Sequence, residues 1–280
     1  MSLKIRNIAA VKKHTLLLLM IGLSFSFASA QESYIAKVDK ILEKGDTAKA
    51  VKKLNGFIMK NPKSTDLYLK RAKLKLERGD LEPAMVDLNS HCSLNKECGE
   101  ADLLKGIIRF KQGDYSGAIA YLSSYTQKHD RAEAWSYLGQ SHMWLQNYPV
   151  AVNAFRKAIT IQPNDVSSIY NAGLSAYYNE YFGLADSFFV AGLKISPEDE
   201  DIMLAHGLTL LRSGNHIESN KVFRTFEEGS PHYANALYNI GVNYYNLNEN
   251  SLACDYWTRA MEQGHMKAES SKQQYCRKKR

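Results

Sequence analysis

The chain has 280 residues, 45% of them apolar and 23% charged, proportions that exclude wholesale disorder and collagen-like or low-complexity architectures. Its net charge of +7 sits at the two ends. Lys4, Arg6, Lys12 and Lys13 at the front and Arg277, Lys278, Lys279 and Arg280 at the back leave 28 cations against 29 acids between residues 31 and 276. A body so close to neutral has no basic stripe able to neutralise several phosphates together, so no nucleic-acid partner is expected.

Residues 1–30 read as a secretory signal peptide. A basic stretch ending at Lys12-Lys13 precedes an apolar run over 16–28, and Ala28-Ser29-Ala30 forms an A-x-A cleavage pattern. Such a run covers about 20 Å as a helix, short of a hydrocarbon core of roughly 30 Å. Removal rather than anchoring is therefore expected. Cleavage after Ala30 leaves Gln31 first, with no cysteine there to acylate, and no second long apolar segment follows. The sequence predicts an exported protein without a stable membrane anchor, periplasmic in a Gram-negative envelope or, alternatively, secreted. Its four cysteines, Cys92, Cys98, Cys254 and Cys276, all lie in the exported part. In an oxidising compartment an even count favours disulfides over metal ligands.

From residue 31 onward the chain resembles itself at a spacing of 34 residues. Residues 31–64 carry Tyr34, Gly45, Ala50, Leu54, Phe57 and Pro62, and 65–98 carry Tyr68, Ala72, Gly79, Ala84 and Leu88. Residues 99–131, one residue shorter, retain Gly106, Gly113, Tyr115 and Ala118. The fullest window is 132–165, with Trp135, Leu138, Gly139, Ala151, Phe155, Ala158 and Pro163. Residues 166–199 follow with Ala172, Gly173, Ala185, Phe189, Gly192 and Pro197. Then 200–233 give Gly207, Ser219, Phe223, Phe226 and Pro231, and 234–267 give Leu237, Ile240, Gly241, Tyr244, Ala253, Trp257 and Ala260. Each window predicts two amphipathic helices, with apolar residues at three- and four-residue spacing. Small residues at window positions 8 and 20 let the two helices approach closely, and a proline at position 32 lies past the second helix. Asp46, Asp80 and Asp114 each follow a glycine where a second helix begins, and are expected to cap it. Residues 268–280 read as a capping helix and basic tail, because a terminal repeat would otherwise expose its apolar flank.

Over 31–267 this pattern resembles the tetratricopeptide repeat. The resemblance implies an all-α fold, a right-handed superhelical solenoid of seven helix-turn-helix repeats closed by a C-terminal cap. Departures fall at position 7 of the first three windows, where Lys37, Arg71 and Lys105 stand in the usual leucine slot, and at His142 in place of a tyrosine. The family's concave surface is lined by positions 2, 5, 9, 12 and 13 of each first helix. Carried over, that assignment gives Leu103, Ile107 and Phe110, then Met143 and Trp144, then Tyr170, Leu174, Tyr177 and Tyr178, then Leu204, Leu208 and Leu211, and finally Tyr238, Val242 and Tyr245. A concave strip this rich in aromatics predicts a contact surface, and so a protein partner offering a peptide segment or a helix to an interaction scaffold. The alternatives are a structural subunit of an envelope assembly that uses convex or end surfaces, and an enzyme or small-molecule binder.

In the same register Cys254 and Cys276 fall at one end of the last repeat and its cap, while Cys92 and Cys98 flank the connector between the second and third repeats. Both pairs are disulfide candidates if geometry allows, the alternative for each being a buried free thiol. No chemistry-bearing motif appears. The eight histidines are scattered without a zinc-binding spacing, and phosphate-cradling, dinucleotide and nucleophile-elbow motifs are absent. No catalytic residue, metal or cofactor is predicted.

Overall fold

A computed structural model of the protein describes residues 33–95 and 98–276. The predicted signal segment, Gln31 and the basic end 277–280 lie outside the described residues. Those that are described form fifteen helices and no strand, and the chain divides into two units, at Ile108 and Arg109. None of the described helices is long and apolar enough to cross a membrane.

The first unit holds α1 (33–42), α2 (Thr47–Lys60), α3 (Thr65–Glu77), α4 (Leu81–Leu94) and the greater part of α5 (Glu100–Lys111). Val38, Leu54, Phe57 and Leu67 bury together, and Ala72, Ala84, Leu88, Ala101 and Ile108 form a second cluster. The polar residue in the leucine slot of α3 is compensated. Arg71 donates to both carboxylate oxygens of the buried Asp87, at 2.8 and 2.5 Å, and to Asn55 at 2.7 Å. Lys75 meets the same carboxylate at 2.8 Å. A bidentate guanidinium–carboxylate pair of this kind satisfies a charge that burial would otherwise penalise. In α5, Leu103 and Ile107 are core residues, 0% and 4% exposed, and not the surface strip positions expected of them. Cys92 and Cys98 are bonded, their Cα atoms 5.0 Å apart.

The second unit contains α6 (Tyr115–Thr126), α7 (Ala132–Trp144), α8 (Tyr148–Ile161), α9 (Val166–Tyr178), α10 (Phe182–Ile195), α11 (Glu200–Arg212), α12 (His216–Phe223), α13 (Tyr233–Asn246), α14 (Asn250–Glu262) and α15 (Met266–Tyr275). Each helix packs on the next in the chain. Within the pairs the same contact recurs four times: a glycine of the first helix receives an aromatic ring of the second. A Cβ at Gly139, Gly173, Gly207 or Gly241 would stand only 2.5–2.8 Å from Phe155, Phe189, Phe223 or Trp257 respectively. All four rings are buried. Glycine is required here for close approach, not for backbone freedom.

Backbone freedom decides the turns inside the pairs. Gly45, Gly79, Gly113 and Gly214 have φ of 75–84°, and Gln146, Glu180 and Asn248 occupy the equivalent left-handed position at 60–63°. That conformation closes a helix C-terminus and is easiest for glycine. Asp46 and Asp114 then cap the next helix as expected, accepting from the Lys49 and Gly117 amides at 2.9 and 2.8 Å. Asp80 does not make the expected capping bond: it holds the N-cap position of α4 and its carboxylate meets Arg78 at 3.4 Å.

α12 stops at Phe223, far short of the thirteen or fourteen residues of α8, α10 and α14. Where the neighbouring repeats place Ala158, Gly192 and Ala260 between helices, this one has Phe226, whose ring cannot occupy so small a space. It is buried instead from the irregular segment that follows. At the other end of the unit, α15 packs on α14 and buries Ala268, and Cys254 is bonded to Cys276 with a Cα separation of 5.8 Å.

Candidate functional site

In α9, Ile169, Ala172, Gly173 and Ala176 face the core. Tyr170, Leu174 and Tyr177 make up a second stripe at helical spacing that is only partly buried against this core, and Tyr178 beside them is exposed. With Asp201, Leu204, Ala205 and Leu208 of α11 they line a cavity of about 190 Å³. On the other side, Leu174 and Tyr178 join Met143, Trp144, Gln146 and Tyr148 around a second cavity of about 310 Å³. The two hollows thus share a wall made by Leu174 and Tyr178. Trp144 and Tyr178 are 59% and 57% exposed, far more than aromatic side chains that serve only as packing.

The rim of this surface has a regular construction. The last residue of a first helix stacks on the first residue of the preceding second helix. Trp144 lies parallel to Tyr115 at 5.6 Å between ring centroids, Tyr178 stacks on Tyr148 at 5.5 Å, and the Arg212 guanidinium sits 5.9 Å from the rings of Phe182 and Tyr177. Arg212 also approaches Glu180 at 3.8 Å. The second-helix members, Tyr115, Tyr148 and Phe182, were missed by a reading confined to first helices. Their recurrence one repeat apart was the available signal. Acid is supplied by Asp201, which His232 contacts at 3.0 Å through its Nε2. Burial, with Asp201 as a second cause, raises the Tyr170 phenol above its usual range, so it stays a neutral donor.

Eight of the fifteen expected strip residues are brought together at these cavities: Met143, Trp144, Tyr170, Leu174, Tyr177, Tyr178, Leu204 and Leu208. Phe110 packs instead against Tyr115 and Tyr137, at 5.6 and 5.3 Å. Tyr238 stacks on His265 at 4.2 Å and lies within hydrogen-bond reach of Ser271, and Tyr245 packs on Tyr275 and Trp257. Those two tyrosines are taken up by the cap.

Cys92, Cys98 and Asp102 form a cluster of metal-ligand types among the described residues, but the two sulfurs are bonded to each other and present no thiolates. The two histidines in repeat core slots, His142 and His206, are half-buried. His206 reaches Asp186 at 2.8 Å, while burial lowers the pKa of His142, whose Nδ1 has no hydrogen-bond partner.

Consecutive antiparallel helix pairs locked by one recurring glycine–aromatic contact define an all-α helical-repeat solenoid. The sequence model of the tetratricopeptide repeat matches residues 132–165 and again 235–263, and the chain carries tetratricopeptide repeats there. No curated protein matches it. Among solved structures it is similar to the C-terminal part of a TPR repeat-containing protein from Cytophaga hutchinsonii, with 21% identity over 84% of this chain and 98% of that one and a TM-score of 0.68. A tetratricopeptide repeat protein from Parabacteroides merdae is 18% identical over 85% of this chain and 94% of its own, with a TM-score of 0.58. PilW, a type IV pilus biogenesis factor, is 13% identical over 72% and 94%, with a TM-score of 0.60. At these identities the likeness is one of fold.

Proposed function

We propose that this protein is an exported, non-enzymatic interaction scaffold, seven repeats over 31–267 and a cap, that holds a peptide segment or helix of a partner protein on the aromatic surface of α7, α9 and α11. The observation that carries the reading is the pair of adjoining apolar hollows sharing Leu174 and Tyr178, with Trp144 exposed beside them. Hollows of this kind receive side chains of a bound segment, and interface energy concentrates in a few aromatic anchors. Asp201 and Arg212 at the margin supply charges of both signs for orientation. Export rests on the signal-like N-terminus, and two disulfides suit an oxidising compartment.

The test is selection of peptides from a displayed library on the wild-type protein, followed by calorimetry of the selected peptide with Trp144→Ala/Tyr178→Ala. Each truncation is expected to cost about 2 kcal/mol or more, enough together to abolish measurable binding at micromolar concentration. Helical circular dichroism should be unchanged, since both side chains lie outside the core. A folded double variant with undiminished affinity would refute the groove and move attention to convex and end surfaces.

A further inference from the structure

The first unit carries a feature that packing alone does not require. Lys105 of α5 is 6% exposed, and its Nζ lies 3.2 Å from the Cys92 Sγ. Cys92 is in the last turn of α4 and Cys98 lies just before α5, both only partly buried at the edge of the core cluster. We propose that the Cys92–Cys98 disulfide is a thiol–disulfide exchange site, opened by an external dithiol, in which Lys105 stabilises Cys92 as the leaving thiolate.

An ammonium group interacts weakly with a disulfide sulfur and strongly with a thiolate. Placing it against one sulfur therefore favours the reduced form and selects which sulfur departs. Burial depresses the pKa of Lys105, with Asp102 acting in the opposite sense, and an anion formed at Cys92 adds a counter-charge to this ammonium group. In the reaction a thiolate of the dithiol attacks the Cys98 sulfur. The Cys92–Cys98 bond breaks, a mixed disulfide forms at Cys98, and the electron pair leaves on Cys92 beside Lys105. The second thiolate of the dithiol attacks its own sulfur in the mixed disulfide and releases Cys98. Two electrons have passed to the protein, and the dithiol departs as a disulfide. Cys254–Cys276 differs: among the described residues, no cation hydrogen-bonds to either of its sulfurs. It serves as the internal reference.

The mature full-length protein is equilibrated in graded mixtures of reduced and oxidised dithiothreitol, quenched in acid, alkylated, and both pairs are quantified by peptide mass spectrometry. Cys92–Cys98 is expected to open at a more oxidising poise than Cys254–Cys276. Lys105→Met should shift only the former, by about tenfold toward the disulfide, which is roughly 30 mV for a two-electron couple. Thiolate absorbance of the wild type, reduced at Cys92–Cys98 alone, provides a second readout that needs no variant. One thiol should ionise well below the ordinary value of about 8.5. Coincident opening of the two disulfides, a folded Lys105→Met protein that titrates like wild type, or ordinary ionisation of both thiols would each overturn the proposal.

Discussion

Replacing Gly173 with alanine tests the close approach on which each helix pair depends. The new methyl would stand 2.6 Å from one Phe189 ring carbon, 2.8 Å from a second and 3.0 Å from a third. Ordinary contact begins near 3.4 Å, so the ring or the helix must yield by about 0.8 Å. Phe189 is fully buried among Ala185, Ala176 and Ile202 and has nowhere to turn. Overpacking of this kind costs about 1–3 kcal/mol, against a gain of about 1 kcal/mol from placing alanine rather than glycine inside a helix. A net loss of about 1–2 kcal/mol is expected. Gly183, in the first turn of α10, is the control, because a Cβ there meets nothing within 4 Å. Gly183→Ala should raise stability by up to about 1 kcal/mol. Urea unfolding followed by circular dichroism compares the two, and hydrogen exchange in α9 and α10 localises the loss. Adding Phe189→Leu to Gly173→Ala should return part of the deficit through a positive coupling. A Gly173→Ala protein as stable as Gly183→Ala would refute the argument that ring contact dictates glycine at this position.

Asp87→Ala strands Arg71 and Lys75 around an empty site and should cost about 3–5 kcal/mol in urea unfolding, whereas replacing all three by apolar residues of similar volume should restore most of it. Opening Cys254–Cys276 should remove about 3 kcal/mol by the chain-entropy estimate, and hydrogen exchange should place that loss in α14 and α15 and leave α7–α10 protected. His142 takes up a proton less readily in the folded chain than in the unfolded one, because burial lowers its pKa. The unfolded state therefore binds more protons once the pH drops below about 6.5, and stability should fall from there downward; His142→Phe should flatten that slope in thermal melts taken between pH 7 and 5.

Much of this architecture is legible in the sequence because the repeat forces the same small-to-large contact at the same place. Gly173 and Phe189 sit sixteen residues apart, as do Gly139 and Phe155. The period marks each position and a close helix approach, while the partner of the glycine, expected to be the small residue at position 20, is shown by the fold to be the ring at position 24. The same register makes the two cysteine pairs candidates by placing them near common helix ends, and the structure shows both bonded. What escaped the sequence lies between repeats or beyond them. The stacking of Trp144 on Tyr115 joins positions from different repeats, and a reading of one helix type cannot reveal it. Tyr238 and Tyr245 fit the family's surface positions, yet α15 comes from outside the periodic part and takes both. Phe226 carried a bulky residue into a small slot, and only the fold shows that the helix ends sooner. The role of Lys105 depends on a distance to a sulfur that no spacing rule encodes.

The recurring glycine–aromatic lock has a consequence for how such a chain lengthens. Because Gly139 with Phe155 and Gly173 with Phe189 present the same male and female parts, a duplicated 34-residue block would arrive with its own fastening already matched. Growth by copying then needs no compensating change inside the new pair, while the join between blocks rests on other contacts, such as Gly192 against Ile202. Gly241 with Trp257 accepts a larger ring in the same socket, which marks how far one part drifts while the fastening still closes. The repeats nearest the aromatic surface are thus interchangeable in their fastening and individual in what they display, and recognition can diversify along the array without the scaffold being redesigned.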